Sequence, residues 1–189
     1  MTPAALSGGF SDTSVQAARA FRAALDAMAR PGKVVALAGA TPPAPLSVAA
    51  GVLVLTLVDT TTPLYLAPSH DTKAVRDWIT FHTGAPFVEP AAASFALGNW
   101  SSLLPLDRFS IGSAEYPDRA ATLIVELASL AAPTARISGP GIAVQAGLAL
   151  PEVAAFAENH ALYPLGLDFF FTADDRLAAL PRSTRVEAA

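Results

Sequence analysis

Apolar and polar positions recur along this chain at two different periods, and each change of period marks an element. Over residues 11–30, Val15, Ala18, Phe21, Leu25 and Met28 return at helical spacing. Asp12, Thr13 or Ser14 stands where a cap is needed, and Pro31-Gly32 stops the segment, so a helix is predicted. A strand is expected over 33–37. After the breaker Pro42-Pro43-Ala44-Pro45, the run LSVAAGVLVLTLVD is apolar on all sides. Its β-branched residues favour strand, but its length exceeds an ordinary strand and Asp59 with Pro63 closes it. A buried helix is the expectation.

Residues 62–66 then read as a short strand. A second amphipathic helix is expected over 71–82, with Val75, Trp78, Ile79 and His82 on one face. Residues 95–97 read as a strand, 101–109 as a loop or short helix, and 121–130 (ATLIVELASL) as a central strand with Glu126 at its far end. Residues 135–138 and 144–148 flank Gly139-Pro140-Gly141 as a hairpin. Pro151 is expected at the first position of a helix that runs to about His160. Asp168 follows the corner Tyr163-Pro164-Leu165-Gly166 and opens the apolar run Phe169-Phe170-Phe171. Ala173-Asp174-Asp175 breaks that run, and Leu177 to Leu180 resumes it, which is the pattern of a second hairpin. Apolar runs alternating with helices, with hairpins among them, predict an α/β fold with a mixed sheet flanked by helices. The expected strands include those near Leu64, Leu123, Phe170 and Ala179.

Composition changes this picture in three ways. The chain has 189 residues, enough for one sizeable core, so a single domain over 1–189 is expected. Mean hydropathy is +0.43, a high value that alanine inflates. The longest apolar runs, 46–58 and 120–132, are interrupted by Ser47 and Thr56 and by Glu126, so no membrane span is expected. The surplus apolar surface instead points to self-association or to partner subunits. Net charge is −4 without a basic block, which argues against nucleic acid. MTPAALSGGFSD lacks a charged and apolar leader pattern, so a cytoplasmic location is expected. There is no cysteine, which excludes disulfides, thiolate nucleophiles and cysteine-ligated clusters.

Candidate chemistry is sparse. Lys33 and Lys73 are the only lysines, and neither sits in a Schiff-base context. His70, His82 and His160 lack metal-ligand spacing, and His70 beside Asp71 reads as a helix entry. No catalytic residue, metal site or cofactor is assigned. His82, near the end of its helix, reads as a cap or packing residue, or as a cation at the negative end of the helix dipole. Gly139 and Gly141 leave backbone unshielded, as phosphate loops do, although such turns are usually only turns. Arg182-Ser183-Thr184 offers a guanidinium and two hydroxyls to anionic oxygens. The second hairpin brings Asp168 beside Arg182. That pairing either pins the register or leaves the arginine one edge for an anion in a surface recess.

Several separated stretches resemble one family. They are FRAALDAMARPG, with Phe21, Arg22, Met28, Pro31 and Gly32; LTLVDTTTPLYL; Phe81-His82-Thr83-Gly84-Ala85-Pro86; and PLGLD followed by a hairpin and PRSTRVE. Together they resemble the PhnH family, a subunit of the bacterial carbon–phosphorus lyase system, with small departures at Tyr163, Leu167 and Ser183. The resemblance implies a subunit of the lyase core complex that supports transfer of a phosphonate to the ribose of ATP with release of adenine. It also implies other lyase subunits as partners, a homodimer, and a fold like a pared-down pyridoxal-phosphate-dependent transferase domain lacking the cofactor lysine. Three roles stay open. The chain is a non-catalytic scaffold, a subunit that binds phosphonate or ATP, or a freestanding phosphate- or nucleotide-binding protein.

Overall fold

The computed structural model describes residues 6–189. The first helix, α1 (Thr13–Ala29), is capped by Asp12, whose carboxylate accepts the Val15 amide at 3.2 Å. It buries the small stripe Ala20, Ala24 and Ala27, which lets it lie close against α2 (Val48–Leu57). α2 is the predicted all-apolar helix. Ser47 caps it by accepting the Ala50 amide, and residues 49–54 are buried without exception. α3 (Lys73–Thr83) is capped by Thr72 and starts at Lys73, two residues later than expected at Asp71, and Gly84 closes it with a φ of 68° that supplies the left-handed turn.

Strands β1 (Val35–Ala36), β2 (Leu64–Leu66), β3 (Phe95–Asn99), β4 (Thr122–Glu126), β7 (Asp168–Ala173) and β8 (Arg176–Leu180) form the main sheet, in the order β1-β8-β7-β4-β3-β2. The four strands β2, β3, β4 and β7 are parallel, whereas β7–β8 and β8–β1 are antiparallel, so the sheet is mixed as predicted. The β7–β8 hairpin pairs Phe170 with Ala179, and Asp174 carries its turn at φ 51°. The turn is anchored from outside: Ala49 donates to the Asp174 carbonyl and Leu37 to that of Asp175.

Alternate residues along these strands feed two cores. Ile124, Phe170 and Leu177 face α1, α2 and α3, while Leu123, Phe169 and Phe171 face the other way. The second layer contains α5 (Val153–Ala161), a short α4 (Trp100–Leu103) and a three-stranded antiparallel sheet. That sheet comprises β5 (Ala135–Ser138), β6 (Ala146–Leu148) and β9 (Arg185–Ala188), in the order β6-β5-β9.

Three expectations need correction, and one strand goes beyond them. Pro151 does not open α5; Glu152 is the cap and Val153 the first helical residue. The strand expected over 33–37 forms only at Val35–Ala36, because the chain joins β8 there for two residues. The strand expected over 121–130 ends at Glu126, whose side chain is committed to other elements. β9 was not anticipated: only Val186 of its residues turns inward, too little to register as an alternating run.

Candidate functional site

Parallel register places Asp168 at the start of β7, and the hairpin returns the chain two residues past Leu180 to Arg182. The expected ion pair forms. Arg182 Nη2 lies 2.5 Å from Asp168 Oδ2 and Nε donates to Oδ1 at 3.2 Å, while the Arg182 amide donates to the same Oδ1 at 2.8 Å. The guanidinium edge expected to face a recess instead donates through Nη1 to the Pro117 carbonyl. His160 Nδ1 donates to the Arg182 carbonyl at 3.0 Å. This arginine therefore ties together β7, the end of β8, the 117–119 turn and α5.

Ser183 is half-buried, and Thr184 is buried with its hydroxyl unpartnered. A Cβ on Gly139 would come within 3.3 Å of the Ser183 carbonyl, so that glycine and the Arg182-Ser183-Thr184 turn share one neighbourhood. Gly141 lies apart, with φ 78°, and a Cβ there would meet the Ala29 carbonyl at 1.9 Å. The Gly139-Pro140-Gly141 turn thus closes on protein backbone at the end of α1. His82 lies elsewhere, between the rings of Trp78 and Phe81, with Nε2 3.4 Å from the Ser7 carbonyl.

A second polar cluster, absent from the sequence reading, lies at the C-terminal ends of the parallel strands, where open α/β sheets place their ligands. Glu126 closes β4. Its Oε1 accepts the Ser47 amide at 2.7 Å and its Oε2 accepts the Thr172 hydroxyl at 3.0 Å, which joins the α2 cap to β4 and β7. His70 is 4% exposed, and its Nε2 sits 3.9 Å from Glu126 Oε1 without a hydrogen bond. On the other side, His70 Nδ1 is 2.9 Å from Ser69 Oγ, which lies 2.7 Å from Ser102 Oγ.

The protons in this chain can be ordered. Ser102 Oγ donates to the Asn99 carbonyl and the Asn99 amide donates to Ser69. Each hydroxyl has one proton, so Ser69 donates to Ser102, and His70 Nδ1 donates to Ser69. His70 Nε2 then presents a lone pair toward Glu126. Burial pushes the His70 pKa below its ordinary value against the opposing Pro45 backbone. Burial likewise raises that of Glu126 against the Ser47 and Thr172 hydrogen bonds. Both shifts favour uncharged forms, which a lone pair facing a carboxyl requires. The signal in the sequence was the single acid in ATLIVELASL, and nothing local linked it to His70.

The sign of the Glu126 shift gives a first prediction. A carboxyl held above its ordinary value of 4.5 contributes stability that is complete below that pH and is lost as pH rises through the folded value. Glutamine does not titrate. The stability of Glu126→Gln relative to the natural chain should therefore increase as pH rises from 4.5 and level off above the folded value. Urea titrations at a series of pH values check this, and a difference that falls with pH contradicts it.

With this geometry in hand, comparison with known proteins is decisive. A family model described as "Bacterial phosphonate metabolism protein (PhnH)" matches residues 8–187. The chain belongs to the PhnH family. It is 40% identical over 192 residues to the alpha-D-ribose 1-methylphosphonate 5-triphosphate synthase subunit PhnH of Rhizobium meliloti (strain 1021), covering 96% of this chain and 95% of that protein. It is 29% identical over 177 residues to the putative C-P lyase subunit protein HtxG of Stutzerimonas stutzeri, covering 88% of this chain and 84% of that one. In this PhnH-family chain, both the Asp168–Arg182 cluster and the His70–Glu126 cluster fall inside the matched region.

Proposed function

We propose that this chain is a PhnH subunit of a carbon–phosphorus lyase assembly. It supports transfer of a phosphonate to the ribose of ATP with release of adenine, and its part is structural rather than catalytic. The observation that carries the reading is the 40% identity to a PhnH synthase subunit across 95% of that protein's length. Residues 1–189 act as a single PhnH-like domain. The structural role is supported by Arg182, whose donors go to Asp168 and Pro117, and by a titratable cluster held inside the protein. Binding of phosphonate or ATP near Gly139, Arg182, Ser183 and Thr184 is the second reading. The unpartnered, buried Thr184 hydroxyl beside that turn favours it. Calorimetry of the isolated chain with each ligand separates the two.

A cytoplasmic location belongs to the same proposal. Its support is that no described helix is long and apolar enough to cross a membrane. The proposal also includes a likeness to a pared-down pyridoxal-phosphate-dependent transferase domain, supported by four parallel strands with helices packed against them. The residues present do not fit that cofactor. Lys33 pairs with Asp26 and Lys73 with Asp77, and both lysine side chains are exposed.

Homodimerisation completes the proposal. Val15, Phe21 and Leu25, all more than two-fifths exposed, lie with Ala18 and Arg22 along one face of α1. Light scattering at micromolar concentration should give about twice 19.4 kDa, and a monomer at every concentration contradicts it. The test of the whole reading is genetic. A host lacking its own PhnH but carrying the other lyase subunits should regain growth on a phosphonate as sole phosphorus source when given this chain. Failure of a soluble, folded chain to restore growth would overturn it.

A further inference from the structure

A recess of about 530 Å³ opens between α5 and the 104–111 segment, in the layer opposite α1. Its floor includes Ile111, Ala155 and Leu167, and three carboxylates, Asp107, Glu152 and Glu158, stand at its rim. Glu152 accepts the Trp100 indole N–H at 3.0 Å, whereas Asp107 and Glu158 have no partner among the described residues. All three acids are exposed. Leu162, also in the lining, is 48% exposed, and the adjoining Tyr163 is 60% exposed.

The volume is that of a small-molecule pocket, but the charge is wrong for this pathway's substrates. A phosphonate or a nucleotide triphosphate is a polyanion, and three carboxylates repel it. An apolar floor with an acidic rim matches an apolar side chain flanked by lysine or arginine. The outer face of α1, with Phe21, Leu25, Arg19 and Arg22, is a surface of that kind on this chain. A second copy using it would bind head to tail. α1 and α5 pack on opposite faces of the main sheet, so that contact gives a ring or a filament rather than a closed pair, and the proposed homodimer already covers this face of α1. The occupant is therefore a different polypeptide.

We infer that this recess docks an apolar, Lys- or Arg-bearing segment of another subunit of the lyase assembly, an inference that rests on the proposed function above. The test uses the tagged full-length chain co-expressed with the other subunits. Asp107→Lys/Glu158→Lys reverses the rim, and Ala155→Trp fills the floor. Both changes should reduce capture of the other subunits by about tenfold or more. Circular dichroism and self-association mass should stay as in the natural chain. The natural chain's capture should also weaken with added salt. Normal capture by both variants overturns the inference alone. So does loss of self-association with capture retained, since a second copy would then be the occupant. A natural chain that captures no subunit overturns the assembly reading, and this inference with it.

Discussion

Phe156→Ala should destabilise the protein by about 3–5 kcal/mol, the range for emptying a buried aromatic site. Phe156 is the pivot of the second layer. Its ring lies 4.9 Å from Trp100, 4.9 Å from Phe169 and 5.5 Å from Phe171, so it fastens α5 to the sheet. Phe169 and Phe171 stack 6.0 Å apart on one face of β7 and cannot close over the vacated space without leaving register. α5 also supplies His160 to the Arg182 carbonyl and Asn159 to both backbone groups of Leu167. Loosening the helix should therefore reach the docking recess and the arginine cluster together. Thermal and urea denaturation measure the effect, and a loss below about 1 kcal/mol would mean that α5 is not anchored this way.

Asp168→Asn should lower stability by about 2–4 kcal/mol, placed between a surface pair and a fully buried one. The Arg182 side chain is 13% exposed and that of Asp168 is 22% exposed, so solvent screens the orphaned guanidinium only in part. Arg182→Lys keeps the charge and loses the planar fork that reaches Asp168 and Pro117 at once. It should cost about 1–2 kcal/mol, less than the asparagine change, because no charge is left without a partner. On a structural account, phosphonate growth falls with either variant only as folded protein falls. A lysine variant that folds and assembles normally yet fails to support growth would assign Arg182 to an anion.

The sequence carried the hairpin and the helices because each is local. α1 and α3 show their period over three or more turns, and the β7–β8 hairpin shows its break at Ala173-Asp174-Asp175. Pairings between distant segments were not legible. β9 docks on β5 with Val186 opposite Ile137, and nothing within RVEA announces a strand. The His70–Glu126 cluster joins the segment after β2, the ends of β4 and β7, and the cap of α2. Only the parallel register brings them together. The Asp168–Arg182 pair was legible because a hairpin fixes its own geometry. Its third partner, the Pro117 carbonyl, was not, since it comes from another part of the chain.

In the proposed function, this PhnH-family chain serves a multi-subunit assembly rather than acting alone. The most direct measurement purifies the lyase assembly with and without this chain and follows conversion of a phosphonate and ATP to the ribosyl triphosphate and adenine. The chain should elute with the other subunits in fixed proportion, and omitting it should abolish conversion. The purified chain alone should convert nothing. Full conversion by an assembly lacking the chain, or elution of the chain apart from the other subunits, would contradict it.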